Sequence, residues 1–374
     1  MNPSEIQLRI EPTLRHAAAR FGDCPRPEPL AASPWVAMST LQKAIRRGRE
    51  DLALRAAATL MRDAPDRLWR RLGCVACEDI GLGDLEAVAI ATAALGGVRK
   101  RAELGGDWPI AGAVVAGLAC APKCRVADDL LMICELCPAY ARQRDELQRL
   151  SVGELVGVVC GSAPIEERAV ALWCALGGGP RRLGLRRPRS ETQTVFDRLC
   201  EAGWPSALVE VARINFNRTG EPLGPLVALA AREPVNGSRV EADEIPPELM
   251  INGTPGWAFD LYTREGRAVY ARFLAADSRS AAWLRRYVAA SRRVAVLGHC
   301  VFRVEGGLVD RRVHWPLADR LREQADVSCA GPGCGDVSEL LDLVRQDLTR
   351  LNGVRSQTLG RDDHCAYTAP AGPH

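Results

Sequence analysis

Lysine is nearly absent from this 374-residue chain: Lys43, Lys100 and Lys123 are the only three, within a total of 49 lysines and arginines. Glycine, alanine and proline are plentiful beside arginine, so the skew reads as codon bias in a GC-rich source, not as a sign of nucleic-acid binding. Aromatic residues make up only 5% of the chain, and no run of them supports base stacking. Long apolar runs are also missing. The longest, residues 110–121, is rich in small side chains and falls short of the roughly 20 residues that cross a bilayer. The first twenty residues carry Glu5, Arg9, Glu11 and Arg15, which leaves no apolar segment of the secretory kind. The expectation is a cytoplasmic chain with no membrane partner.

What remains has the composition of a globular protein, 47% hydrophobic and 25% charged, with length for about two domains. The net charge of +3 excludes neither class of partner, so any nucleic-acid reading rests on local clusters. Fourteen cysteines in a cytoplasmic chain stay reduced. Cys74, Cys120, Cys134, Cys174 and Cys200 fall at apolar positions of helical patterns, where free cysteine acts as a small hydrophobe.

Helical periodicity dominates. Residues 1–34 form an arm that ends in the Pro-rich stretch 24–29, which cannot continue a helix. Residues 35–177 carry a succession of short amphipathic helices. They start at Ser, Thr or Asp caps and stop at Gly48, Gly81, Gly96–Gly97, Pro122 and Pro138. A Gly/Arg-rich linker occupies 178–190, and a second, mostly helical domain fills 191–352. In that domain, residues 293–313 alternate weakly and could form a small β-hairpin. Residues 353–374 read as a disordered tail. The fold class is therefore mainly α, a helical bundle followed by a second mostly helical domain.

Five short pieces within residues 35–125 carry a family likeness. They are Leu41-Gln42-Lys43-Ala44-Ile45-Arg46, Asp51-Leu52-Ala53-Leu54, Trp69-Arg70-Arg71-Leu72, Cys77-Glu78-Asp79-Ile80-Gly81-Leu82 and Leu118-Ala119-Cys120-Ala121-Pro122-Lys123. In order and spacing this stretch resembles the C-terminal assembly region of the replication-associated recombination ATPases (the RarA/MgsA family, AAA+ proteins related to clamp loaders). The resemblance covers about a quarter of the chain. It implies an all-helical fold, self-association into a homo-oligomer, and by kinship a link to DNA replication, recombination or repair. The family's ATPase core has no counterpart: no G-x-x-x-x-G-K-[ST] loop occurs anywhere, so ATP hydrolysis by the family mechanism is not expected.

Glu78 and Asp79 close a helix, where negative charge opposes the dipole at about 0.3–1 kcal/mol each. Lys43, Arg46 and Arg70 are the cations expected to compensate them, in a structural charge cluster. The other basic groups are Arg181, Arg182, Arg186, Arg187 and Arg189 in the linker, and Arg46, Arg47 and Arg49 at the end of a helix. Converging on one face, they could neutralise several phosphates and bind DNA without reading its sequence. A solvated linker and ordinary helix ends explain them as well.

The pairs Cys74-x-x-Cys77 and Cys134-x-x-Cys137 have metal-ligand spacing but lie inside helices instead of on knuckle turns. His299, Cys300, His314, Cys329 and Cys334 are weak metal candidates in the second half. No cofactor is called for, and no Cys–His or carboxylate set stands out as catalytic. The leading expectation is a non-catalytic, self-associating accessory protein, of a mobile element among other settings, that binds DNA or a recombination-type AAA+ ATPase. A metal- or thiol-dependent enzyme in the second half and a protein-interaction module without DNA contact are the alternatives.

Overall fold

The computed structural model describes residues 3–22, 25–178, 189–330 and 336–360. The chain is mainly α-helical. Its first run comprises α1 (Pro3–Gly22), α2 (Pro34–Arg46), α3 (Glu50–Asp63), α4 (Pro65–Val75), α5 (Leu85–Ala94), α6 (Val98–Glu103) and α7 (Asp107–Cys120). There follow α8 (Val126–Leu136), α9 (Ala141–Leu147), α10 (Val152–Cys160), α11 (Ile165–Ala175), α12 (Arg189–Glu201), α13 (Ser206–Thr219) and α14 (Leu223–Ala230). After one short strand and a hairpin come α15 (Arg264–Ala275), α16 (Arg279–Tyr287), α17 (Arg293–Val301), α18 (Pro316–Ala330), α19 (Val337–Gln346) and α20 (Leu348–Leu359). No described helix is long and apolar enough to cross a membrane.

The helix ends follow local chemistry. Ser33 caps α2 by accepting from the Val36 amide, with Pro34 at the first helical position. Asp84 caps α5 through the Ala87 amide, and Ser151 and Glu154 form a reciprocal capping box at α10. Two helices end in a widened π-turn. After α4, residues Ala76–Ile80 form one; after α17, Phe302–Gly306 form the other. Gly81 leaves the first π-turn at φ +47°, and a Cβ there would lie 2.7 Å from the Cys124 carbonyl oxygen. Only glycine fits.

Buried side chains fall into two cores. The first is rich in small residues such as Ala44, Ala53, Ala57, Ala76 and Ala111, which let helices approach closely. It includes Leu14 and Ala18 of α1, so the expected arm is docked, with α1 against α5 and α7. It also includes Val195, Phe196, Val209, Leu226 and Leu229, so α12–α14 share the core of the preceding bundle. The second core joins α15–α17 to α19–α20 through Tyr270, Phe273, Trp283, Leu297, Val301, Leu340 and Leu351. Between these helices the chain returns to the first core, where Trp315, Leu321 and Ala325 seat α18 on α8.

Strand is minor. β1 (Arg239–Glu241) pairs antiparallel with β4 (Arg312–His314), with Val240 opposite Val313, and β2 (Met250–Ile251) with β3 (Thr254–Pro255) forms a tight hairpin. A small hairpin therefore exists, but residues 293–301, where alternation placed it, are helix α17. Val296, Leu297, Cys300, Val301 and Val304 are all buried, at steps of one and three that form a helical stripe. Residues 353–359 belong to α20, with Val354 and Arg355 buried, and are not tail; residues 361–374 lie outside the described part.

Candidate functional site

The last two turns of α2 present Ser39, Gln42, Lys43 and Arg46 to one side, at the three- and four-residue spacing that puts them on one face. Arg46 is buried and donates from Nε to Asp79 (2.6 Å) and from Nη2 to Glu78 (2.8 Å). Its Nη1 reaches across to the Gly306 carbonyl (3.0 Å). Arg125 also pairs with Asp79 and with Asp128, and Gln42 donates to Asp79 at 3.0 Å. Asp79 has no solvent exposure, and these three donors engage both of its carboxylate oxygens. Burial raises the affinity of Glu78 for a proton, but Arg46, Arg125 and Arg71 together outweigh it and hold the carboxyl below its ordinary range.

The loop after α7 meets the first π-turn here. The Cys124 amide donates to the carbonyls of Asp79 (2.9 Å) and Ile80 (3.1 Å), so the loop after α7 closes over the first π-turn. Lys123, wholly buried, pairs with Asp310 at 2.9 Å, and its backbone bonds Arg311 and Val313. Gly48, at φ +64°, has the Asp310 carboxylate where a Cβ would stand.

The second π-turn has its own ion pair. Glu305 accepts two bonds from Arg355 (2.9 and 2.6 Å), and its carbonyl accepts from Arg47 Nη2 at 2.6 Å. Burial works against the Glu305 carboxylate, yet Arg355 and Arg47 keep it below the usual carboxylate range. The Arg47 guanidinium sits 4.6 Å from the Trp257 ring centre, and those of Arg46 and Arg125 sit 5.1 and 5.5 Å from that of Phe302. Lys43 belongs to the same seam. It donates to Ser39 (2.9 Å), the Trp257 carbonyl (2.8 Å) and Asp260 (2.6 Å). Burial lowers its ammonium to about 8 despite Asp260.

Between the π-turns lies a cavity of about 360 Å³, walled by α2, α4 and α8 on the bundle side and by α15, α17 and α18 opposite. Trp35 and Tyr262 line it while remaining 54% and 71% exposed, which places them at its rim. Deeper are Arg71, His299, Phe302 and Cys329.

This geometry corrects several expectations. Arg46 does compensate Glu78 and Asp79, but Lys43 serves Asp260, and Arg70 serves the Thr219 carbonyl (2.8 Å) and Glu221 (2.9 Å). Arg46 and Arg47 are buried in the seam and offer nothing to an outside phosphate, because the chain's own acceptors took them from solvent. Arg49 is partly exposed and paired with Asp51 and Glu248. Arg181, Arg182, Arg186 and Arg187 lie outside the described residues; Arg189 opens α12.

Of the metal candidates, His299 and Cys329 share the cavity wall, Cys300 is in the second core, and His314 bonds Asp319 at 2.8 Å on β4. Cys334 lies outside the described residues. Among the described residues no group of three His, Cys, Asp or Glu side chains could hold an ion. Cys74 and Cys77, like Cys134 and Cys137, are buried in the first core. Burial pushes the Cys74 and Cys124 thiols up to about 12 and Cys329 to about 11, and raises those of Cys77 and Cys134 as well.

Arg125, Asp128, Asp260, Phe302, Glu305 and Arg355 were not anticipated. Arg125 stands two residues past Lys123 and could have been read with it. Glu305-Gly306-Gly307, an acid before glycines, has some likeness to Asp79-Ile80-Gly81, whereas nothing local marks Asp260 or Arg355. No family model, no curated protein and no solved structure matches this chain.

Proposed function

We propose that this chain is a non-catalytic, self-associating accessory protein of DNA replication, recombination or repair, which acts by binding DNA or a recombination-type AAA+ ATPase. The observation that carries the reading is the contact of Asp79 and Ile80 with Cys124 and Arg125, the two residues that follow the piece 118–123. The piece 77–82 and the chain just after the piece 118–123, distant in sequence, thus meet around Asp79. The groups that could do chemistry near it are engaged otherwise. The carboxylates are closed by arginines, and the buried thiols hold their protons at neutral pH, which weighs against the thiol-enzyme alternative.

With Arg46 and Arg47 committed inside, the DNA contact falls to Arg181, Arg182, Arg186, Arg187 and Arg189. Fluorescence anisotropy of labelled duplex and forked DNA at two salt concentrations tests this. With several phosphates neutralised, affinity should fall by about 10³ or more between roughly 50 and 200 mM salt. Replacing the five linker arginines by glutamine should weaken binding at both. An absence of binding at low salt overturns the DNA contact, and light scattering that finds only monomer overturns self-association.

A further inference from the structure

The cavity between the two π-turns has a polarity that the structural cluster does not use up. Its charged walls are nearly all closed pairs: Lys43 with Asp260, Arg46 and Arg125 with Glu78, Asp79 and Asp128, and Arg303 with Asp326. Arg71 is the exception among the described lining cations: it acts on Glu78 only at a distance and makes no ion pair within 4 Å. Its one hydrogen bond goes to a neutral group, the Gln42 Oε1, at 3.2 Å, and its other N–H groups remain accessible. Across the cavity, His299 has no hydrogen-bond partner among the described residues, and neither ring nitrogen is fully buried. Burial and the neighbouring Arg303 lower its proton affinity, so it faces the space as a neutral imidazole that can donate or accept.

The sequence spacing fixes how these groups stand. On α4, Arg67 and Arg71 are one turn apart; on α2, Trp35 and Gln42 are two turns apart. Arg67 covers the Trp35 ring at 4.7 Å and Arg71 meets Gln42, so the two helices run side by side from rim to interior. Trp35 and Tyr262 offer exposed aromatic rings at the mouth, and Arg71, half-buried, offers its remaining donors. The volume of about 360 Å³ is at the small end of ligand sites, roughly 300–1,000 Å³.

We propose that this cavity is a binding site for a small, flat aromatic acid. Its ring lies against Trp35 and Tyr262, and its carboxylate or phosphate pairs with Arg71, with His299 bonding its polar edge. The four wall acids do not repel such a ligand strongly, because each already faces an arginine or lysine. An aromatic cation, by contrast, would meet Arg71 while every lining carboxylate is already engaged by the chain's own cations.

The test is isothermal titration calorimetry on the intact chain, with adenosine monophosphate and indole-3-acetate as phosphate and carboxylate probes. Adenosine, 3-methylindole and inorganic phosphate serve as controls. At least one acid should bind at one site with Kd below about 1 mM, while its uncharged counterpart and inorganic phosphate alone bind at least about tenfold more weakly. Arg71→Gln and Trp35→Ala should each weaken the acid by about tenfold, and Arg49→Gln, outside the cavity, should leave it unchanged. Which acid binds identifies the anionic group. Failure of both acids to bind at that concentration overturns the site, as does affinity that neither cavity variant alters or that inorganic phosphate matches. The readout needs no DNA, so it stands or falls apart from the association proposed above.

Discussion

The two π-turns of this molecule solve one problem in two ways. Each widens the end of a helix and buries an acid beside a glycine: Asp79 before Gly81, Glu305 before Gly306. At the first, a single carboxylate is shared by two guanidiniums and an amide, Arg46, Arg125 and Gln42. At the second, one guanidinium, Arg355, grips one carboxylate at both oxygens. Arg46 links them, with its Nε and Nη2 on the first turn and Nη1 on the Gly306 carbonyl of the second. The difference lies in what each would leave behind if broken. The first turn would leave two arginines, which cannot shed their protons, with only Glu78 and Asp128 between them; the second would strand a glutamate, which can take one up.

That contrast orders the expected effects. Asp79→Ala should be the most damaging change, lowering stability by about 3 kcal/mol because two buried cations lose the carboxylate they share and keep only Glu78 and Asp128. Urea or thermal denaturation followed by circular dichroism reads it, and a loss no larger than that of a surface change would show that the cluster is incidental. Arg355→Met should cost less at neutral pH, and its cost should depend on pH. Glu305 is held below its ordinary value in the fold, so the pair stabilises the protein above about pH 4.5, and this contribution is lost as pH falls through the lower folded value. The gap between wild type and Arg355→Met should therefore narrow in acid; a gap independent of pH would mean that Arg355 acts by packing alone. Least of all should come Arg49→Ala. Arg49 belongs to the same basic run as Arg46 and Arg47, but its ion pairs with Asp51 and Glu248 are partly exposed, and it should cost about 1 kcal/mol or less.

The first turn was legible as a charge problem. Two acids at a helix end demanded cations, and Arg46 is where the motif spacing put it. The second turn was not, because the weak alternation of residues 293–313 suggested strand while the stripe Val296, Leu297, Cys300, Val301 and Val304 specified helix. Lys43 shows the limit from another side. Its place on α2 was readable, but Asp260 stands 217 residues away, and no local pattern marks it as the partner.

The helices themselves were written locally. Caps such as Asp84 and Ser151, stops such as Gly81, and apolar residues three and four apart set where several of them begin and end and which face is buried, because those interactions act within a turn or two. The assignment of the basic residues was decided only by the tertiary structure. Arg46 and Arg47 look like Arg49 in sequence, yet two of the three are buried against Gly306 and Glu305, some 260 residues on. A guanidinium goes to whichever acceptor the packed helices bring within hydrogen-bond reach, and that approach depends on the burial of both cores together.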